Sequence, residues 1–141
     1  MKILYKTKAI SIGGRNGGKV KIENSPLEFD MTTPIEMGGS GKIGTNPEQL
    51  FAAGYAACFE SALRGSARRK KLDFKSASVE VEIGIGPNEK GGYSLSANIV
   101  ASVSGIDQTT ADALVQEAHK ICPYSNATKG NIDVTVSARV V

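Results

Sequence analysis

Apolar and polar residues alternate over several stretches of this chain. Ile3, Tyr5, Ile10 and Ile12 sit at alternating or nearly alternating positions among Lys and Thr, which predicts a half-buried strand. The run Gly13-Gly14-Arg15-Asn16-Gly17-Gly18 follows, and Val20 and Ile22 resume the alternation, so a hairpin with a glycine-rich tip is expected. Residues 26–31 fit a third short strand. Val79, Val81, Ile83 and Ile85 alternate, residues 88–92 read as a turn, and Tyr93 to Val103 alternate again as the return strand of a long hairpin. Gly105 and Asp107 introduce a helix with Ala111, Leu114, Val115, Ala118 and Cys122 on one face, which Pro123 disrupts. Ile132, Val134, Val136, Ala138 and Val140 make a last strand. The order is two or three strands, helix, two strands, helix, strand, which is an α+β class with antiparallel sheet packed on helices.

Between the two groups of strands, residues 45–71 read as one long helix. Thr45 followed by Glu48 has capping-box spacing, and Asn46 followed by Pro47 is an equally good start. Arg64, Arg68, Arg69, Lys70 and Lys71 lie where the helix dipole is negative. From Leu50 to Phe59 there is almost no charge, and small residues surround the helix instead of forming a stripe, so burial on most sides is expected. Cys58 stands in its middle, on the face of Phe51, Tyr55 and Ala62.

Composition narrows the function classes. A chain of 141 residues is expected to form one domain, 1–141, with a core that needs no staples. No apolar run is long enough to span a bilayer and no basic-then-apolar leader opens the chain, so no membrane role and a cytoplasmic location are expected. Two cysteines in that setting read as thiols or a redox pair before a structural disulfide. The net charge of +3 is modest, its one dense basic run is explained by the helix end, and no aromatic-basic platform accompanies it. Nucleic-acid binding is therefore not expected. Gly38-Gly39-Ser40-Gly41-Lys42 imitates a phosphate loop, but Glu36 stands where the first glycine belongs and Ile43 where Ser or Thr belongs.

The chemistry-bearing residues leave alternatives open. Free cysteine is among the most buried residue types, so Cys58 taken alone reads as core. A reactive thiolate in mid-helix gains little from the dipole and needs a cation from elsewhere. Arg15 is the only charged side chain of the glycine-rich tip; it is either a solvated loop arginine or a guanidinium that a lean loop lays into a pocket. Cys122 gives Cys58 a possible dithiol partner. His119, one turn earlier, makes a Cys-His nucleophile a competing arrangement and otherwise has no chemical role, and two Cys with one His are too few for structural zinc, so no metal is expected.

The segments TNPEQLFAAGYAACFESAL (45–63) and HKICPYSNATKGNIDV (119–134), with the early GGRNG tip, closely resemble the organic hydroperoxide resistance proteins, a subgroup of the OsmC-like superfamily. The resemblance spans nearly the whole chain, and Lys129 keeps the charge of the Arg found there in many members. It implies antiparallel sheets around two long central helices in an intertwined homodimer. It also implies a thiol peroxidase without metal, haem or other cofactor, in which Cys58 is the peroxidatic cysteine, Cys122 the resolving cysteine, and Arg15 and Glu48 complete the catalytic set. Dihydrolipoyl groups, free or protein-bound, would regenerate the dithiol. The apolar residues near Cys58, namely Leu50, Phe51, Tyr55 and Phe59, are core by default, and some would line a pocket favouring organic and fatty-acid hydroperoxides over hydrogen peroxide. Glu48 and Cys58 are ten residues apart, roughly 15 Å along a straight helix, so folding or a second chain must bring the arginine clamp to the thiol. The expectation is that Cys58 of one chain meets Arg15 and Glu48 of the other. The sibling subgroup of the same superfamily and a redox-silent structural protein are the alternatives.

Overall fold

The structure is a computed structural model that describes residues 1–141, and the chain divides into two compact units, Met1–Leu50 and Phe51–Val141. In the first, β1 (Ala9–Ile12), β2 (Lys19–Ile22) and β3 (Glu28–Asp30) form an antiparallel sheet in that order, with Ile12 opposite Lys19 and Val20 opposite Phe29. The glycine-rich tip joins β1 to β2 as expected. Gly18 admits no Cβ, since one would lie 2.2 Å from the Gly14 carbonyl oxygen. The first strand is shorter than its sequence pattern: residues 1–8 lie outside it, Ile3 and Tyr5 are exposed, and so is every residue of β1. Alternation marks a face suited to burial without supplying what covers it.

The loop after β3 closes on itself. Thr45 N–H donates to the Asp30 carbonyl and Thr32 N–H to the Thr45 carbonyl, each at 2.8 Å, while Ile35–Met37 makes one 3-10 turn between them. The chain thus arrives at α1 (Pro47–Arg69) with Asn46 as its cap: the Asn46 Oδ1 accepts from the Gln49 N–H at 2.8 Å and Pro47 fills the first helical position. Of the two starts legible in the sequence, the structure uses this one. Thr45 instead donates to the Gln49 side chain at 2.9 Å, and Glu48 is left free for other work.

In the second unit, β4 (Ser76–Pro87) and β5 (Tyr93–Ser104) form the long hairpin, α2 (Gln108–Ile121) and α3 (Pro123–Thr128) follow, and β6 (Asp133–Val140) closes the sheet in the order β4-β5-β6. The α+β class is as expected, with one pairing different: β6 runs parallel to β5, Val136 beside Ile99. A helical crossover separates the two strands, and such a connection returns the chain to the same end of the sheet, where a tight turn would reverse it. Asp107 caps α2 by accepting from the Thr110 N–H at 2.8 Å. Pro123 does more than interrupt α2; it is the first residue of α3.

The core takes alternate residues of β5 (Ala97, Ile99, Ala101, Val103), the apolar face of α2, and one stripe of α1 through Tyr55, Phe59, Ala62, Leu63 and Ala67. The expectation of burial on most sides of α1 meets its limit at Ala53, Ala57 and Ser61, which are exposed on another side. Alanine and serine carry little apolar area, so low charge alone does not force a helix face inside. Leu63 is completely buried. Leu63→Ala is expected to cost about 2–5 kcal/mol in urea denaturation.

Candidate active site

The first unit builds a guanidinium clamp. Glu48, in the first turn of α1, accepts from Arg15 through both carboxylate oxygens, Nη2 to Oε1 at 2.8 Å and Nη1 to Oε2 at 3.1 Å. The tip carrying Arg15 is tied down where Gly17 N–H donates to the Met31 carbonyl at 2.9 Å and Met31 N–H to the Gly18 carbonyl at 2.8 Å, with Met31 buried. Met37, from the 3-10 turn, lies with its sulfur 3.8 Å from Arg15 Nη1. The carboxylate side chain is only 14% exposed, so this pair is screened less than a surface ion pair. The hydrogen bonds from Arg15 hold the Glu48 carboxyl below its ordinary value, against the opposing effect of burial.

A lowered carboxyl pKa stabilises the fold at pH above its unfolded value, near 4.5, and that contribution is lost as pH falls through the folded value. Thermal melts between pH 3 and 7 are therefore expected to fall more steeply at the acid end in the natural chain than in Glu48→Gln. Equal slopes would show that the pair contributes nothing to stability.

The second unit holds the two cysteines, and both are free. Cys58, in mid-α1, is half-buried; Cys122, at the junction of α2 and α3, is completely buried. Their sulfurs lie 3.5 Å apart, within hydrogen-bond reach of each other. Burial pushes the Cys58 thiol up from its ordinary value, the backbone N–H of Tyr124 opposes this, and Cys122 adds to it. Tyr124 is the second residue of α3, where an N–H has no partner within the helix.

Phe51, Tyr55 and Tyr124 form an aromatic cluster with ring centroids 5.6–5.9 Å apart. Gly54 lets Tyr124 lie against α1; a Cβ there would come within 2.9 Å of its hydroxyl. Of the four residues considered for a pocket, Tyr55 and Phe59 are completely buried core residues, while Leu50 and Phe51 keep partial exposure. His119, expected to be idle, shares a 2.9 Å hydrogen bond between Nδ1 and the Ser125 hydroxyl. Burial, and then the Lys129 charge, hold its imidazole below the ordinary value.

Sequence reasoning missed Met37, Tyr124 and Ser125. For Tyr124 a signal existed, since Pro123 marks a helix start and so a free N–H immediately after it. Met37 had none, because a contact 22 residues away along a loop leaves no periodicity.

Residues 38–137 match the family model described as OsmC-like protein. The chain belongs to this family. Within the OsmC-like family it is 45% identical over 137 residues to the organic hydroperoxide resistance protein of Xanthomonas axonopodis pv. citri (strain 306), covering 96% of this chain and 95% of that one. Among solved structures it is similar to an organic hydroperoxide resistance protein from Elizabethkingia anophelis with thiocyanate bound, at TM-score 0.96 and 42% identity over the full length of both chains. A Vibrio cholerae structure, described as a putative organic hydroperoxide resistance protein with captopril bound in one of the active sites, has TM-score 0.91 and 49% identity, covering 98% of this chain and 94% of that one. No helix is long and apolar enough to cross a membrane.

Proposed function

We propose that this OsmC-like protein is a cysteine-based peroxidase that reduces organic hydroperoxides to alcohols. The observation that carries the reading is the pair of free sulfurs 3.5 Å apart, one half-buried and one completely buried. A hydroperoxide can reach Cys58, and a sulfenic acid formed there has a second thiol already beside it.

The Cys58 thiolate attacks one peroxide oxygen, the O–O bond breaks, and the alkoxide takes a proton and leaves as the alcohol. Cys58 is now a sulfenic acid. The Cys122 thiolate attacks the Cys58 sulfur, the S–O bond breaks, and the departing hydroxide takes up the thiol proton as water, leaving a disulfide. An external dithiol restores both thiols; the reading assigns a dihydrolipoyl group, free or protein-bound, to this role, in a reducing cytoplasm. No cofactor or metal takes part in it.

Burial works against a thiolate at Cys58, so the mechanism calls for a cation. Arg15, oriented by Glu48, is assigned that role: it favours the thiolate and the charge that moves onto the leaving oxygen. Leu50 and Phe51, the two partly exposed apolar residues considered for a pocket, are assigned to the alkyl tail, which gains by burial where hydrogen peroxide has none. A homodimer is part of the reading, with Cys58 of one chain served by Arg15 and Glu48 of the other. The exposed Ile3, Leu4, Tyr5, Ile10 and Ile12 and the exposed small side of α1 support it, since apolar surface on this scale marks an interface.

The test compares consumption of cumene hydroperoxide and hydrogen peroxide by the reduced protein with dihydrolipoamide present. Much faster turnover of the organic peroxide is expected. Equal, slow rates would reduce the family membership to a statement about fold.

A further inference from the structure

The two sulfurs must come closer before they can bond. A disulfide requires about 2.05 Å, so closure from 3.5 Å asks for an approach of about 1.5 Å and for a well-aimed Cys122. Cys58 lies in the middle of a 23-residue helix, whereas Cys122 is a single extended residue, φ −62° and ψ 123°, followed by the six-residue α3. A helix that short has no stability of its own, and its position is set by what holds it.

What holds it is a buried chain of hydroxyls. The Tyr55 hydroxyl, itself completely buried, shares hydrogen bonds with the Ser125 hydroxyl at 2.9 Å and the Thr128 hydroxyl at 3.2 Å. Thr128 in turn donates to the carbonyls of Tyr124 and Ser125 at 3.0 and 3.2 Å. Ser125 also bonds His119 Nδ1, so His119 on α2 and Ser125 on α3 close over the junction that carries Cys122. The spacing is regular. Tyr55 is one turn before Cys58, Ser125 is one turn after Cys122, and the pairs Tyr55–Ser125 and Cys58–Cys122 are therefore adjacent rungs between the same two stretches of chain.

Phenylalanine would fill the same core volume and keep the ring contacts with Phe51 and Tyr124. The hydroxyl is thus not there for packing, and a buried hydroxyl is costly unless it is bonded. We propose that the Tyr55 hydroxyl is a positioning group for disulfide closure: by fastening Ser125 and Thr128 to α1 one turn from Cys58, it keeps the Cys122 sulfur aimed at the Cys58 sulfenic acid. This rests on the peroxidase reading above. Closure competes with attack of a second hydroperoxide on the sulfenic acid, which transfers another oxygen to sulfur, releases a second alcohol and leaves a sulfinic acid that dithiols do not reduce. The hydroxyl therefore also decides how much peroxide the protein survives.

The experiment uses Tyr55→Phe and, as an independent break in the same chain, Ser125→Ala, in the full-length protein. Rapid-quench mass spectrometry follows the sulfenic acid and disulfide after one equivalent of cumene hydroperoxide, and the sulfinic acid over a series of rising peroxide excess. Formation of the sulfenic acid is expected at the natural rate in both variants, its closure about tenfold slower, and sulfinic acid at correspondingly lower peroxide. Unchanged closure beside a lowered melting temperature would overturn the proposal, as would equal slowing of both steps, since a merely structural hydroxyl would not separate them. Diamide distinguishes the two readings. It adds to a thiolate at Cys58 without any peroxide, and Cys122 then displaces the reduced hydrazine, so closure is still read. Diamide closure that depends on Tyr55 in a natural chain inert to hydroperoxides would overturn the peroxidase reading alone.

Discussion

Cys58→Ser is expected to bring consumption of cumene hydroperoxide down to the uncatalysed rate while the fold and melting temperature stay near those of the natural chain. Oxygen replaces a half-buried sulfur, so little packing is lost, but an alkoxide is not available near neutral pH and a serine cannot carry the oxygen through a sulfenic state. Cys122→Ser separates the steps. Its first turnover is expected at the natural rate, since the thiol assigned to meet the peroxide is intact, and the product is then a sulfenic acid that a dimedone probe can trap. In the natural chain the buried Cys122 sulfur, 3.5 Å away, is expected to capture that species first. Peroxide consumption by Cys58→Ser would reassign the chemistry to Cys122. Loss of the first turnover in Cys122→Ser would mean that the two sulfurs act as one group and not in sequence.

Arg15→Ala is expected to lower turnover by roughly 10²- to 10³-fold, the range seen when one preorganised charge stabiliser is removed. Burial already pushes the Cys58 thiol up, so removing the assigned cation strikes both the thiolate population and the developing charge on the leaving oxygen. Glu48→Gln leaves the guanidinium in place without its anionic partner, and a smaller loss is expected, because both bonds of the clamp, 2.8 and 3.1 Å, end on its carboxylate. Arg15→Lys keeps the charge without the two-pronged geometry and is expected to fall between them. The source of the cation is decided by co-expressing differently tagged Cys58→Ser and Arg15→Ala chains and isolating the mixed dimer. With the clamp supplied across the dimer, one site in the mixture is whole and activity returns. Inactivity of the mixed dimer would place Arg15 and Cys58 of a single chain together.

Much was legible in the chain because it is a property of neighbours in sequence. Period-two alternation marked both strands of the long hairpin and β6, Asp107 announced α2, and the glycines around Arg15 announced a hairpin tip. Long segments around both cysteines were enough to bring the family into view. The failures share one cause. Ile3 and Tyr5 carry strand alternation without being in a strand, and Ala53 and Ala57 look like core yet stand exposed, because a pattern gives the character of a face but not what lies against it.

The sequence by itself thus determined the α+β class, the two long helices and the hairpins, since propensity, capping and periodicity act over a few residues at a time. Only the tertiary structure decided that β6 runs parallel to β5, that Asn46 and not Thr45 caps α1, and that Glu48 is spent on Arg15, 33 residues away. It alone set Cys58 beside Cys122 across 64 residues and tied Tyr55 to Ser125 across 70. Contacts at such separations depend on how whole elements pack, and packing is chosen by the sum of buried area and satisfied hydrogen bonds across the core, a quantity that no local stretch of sequence contains.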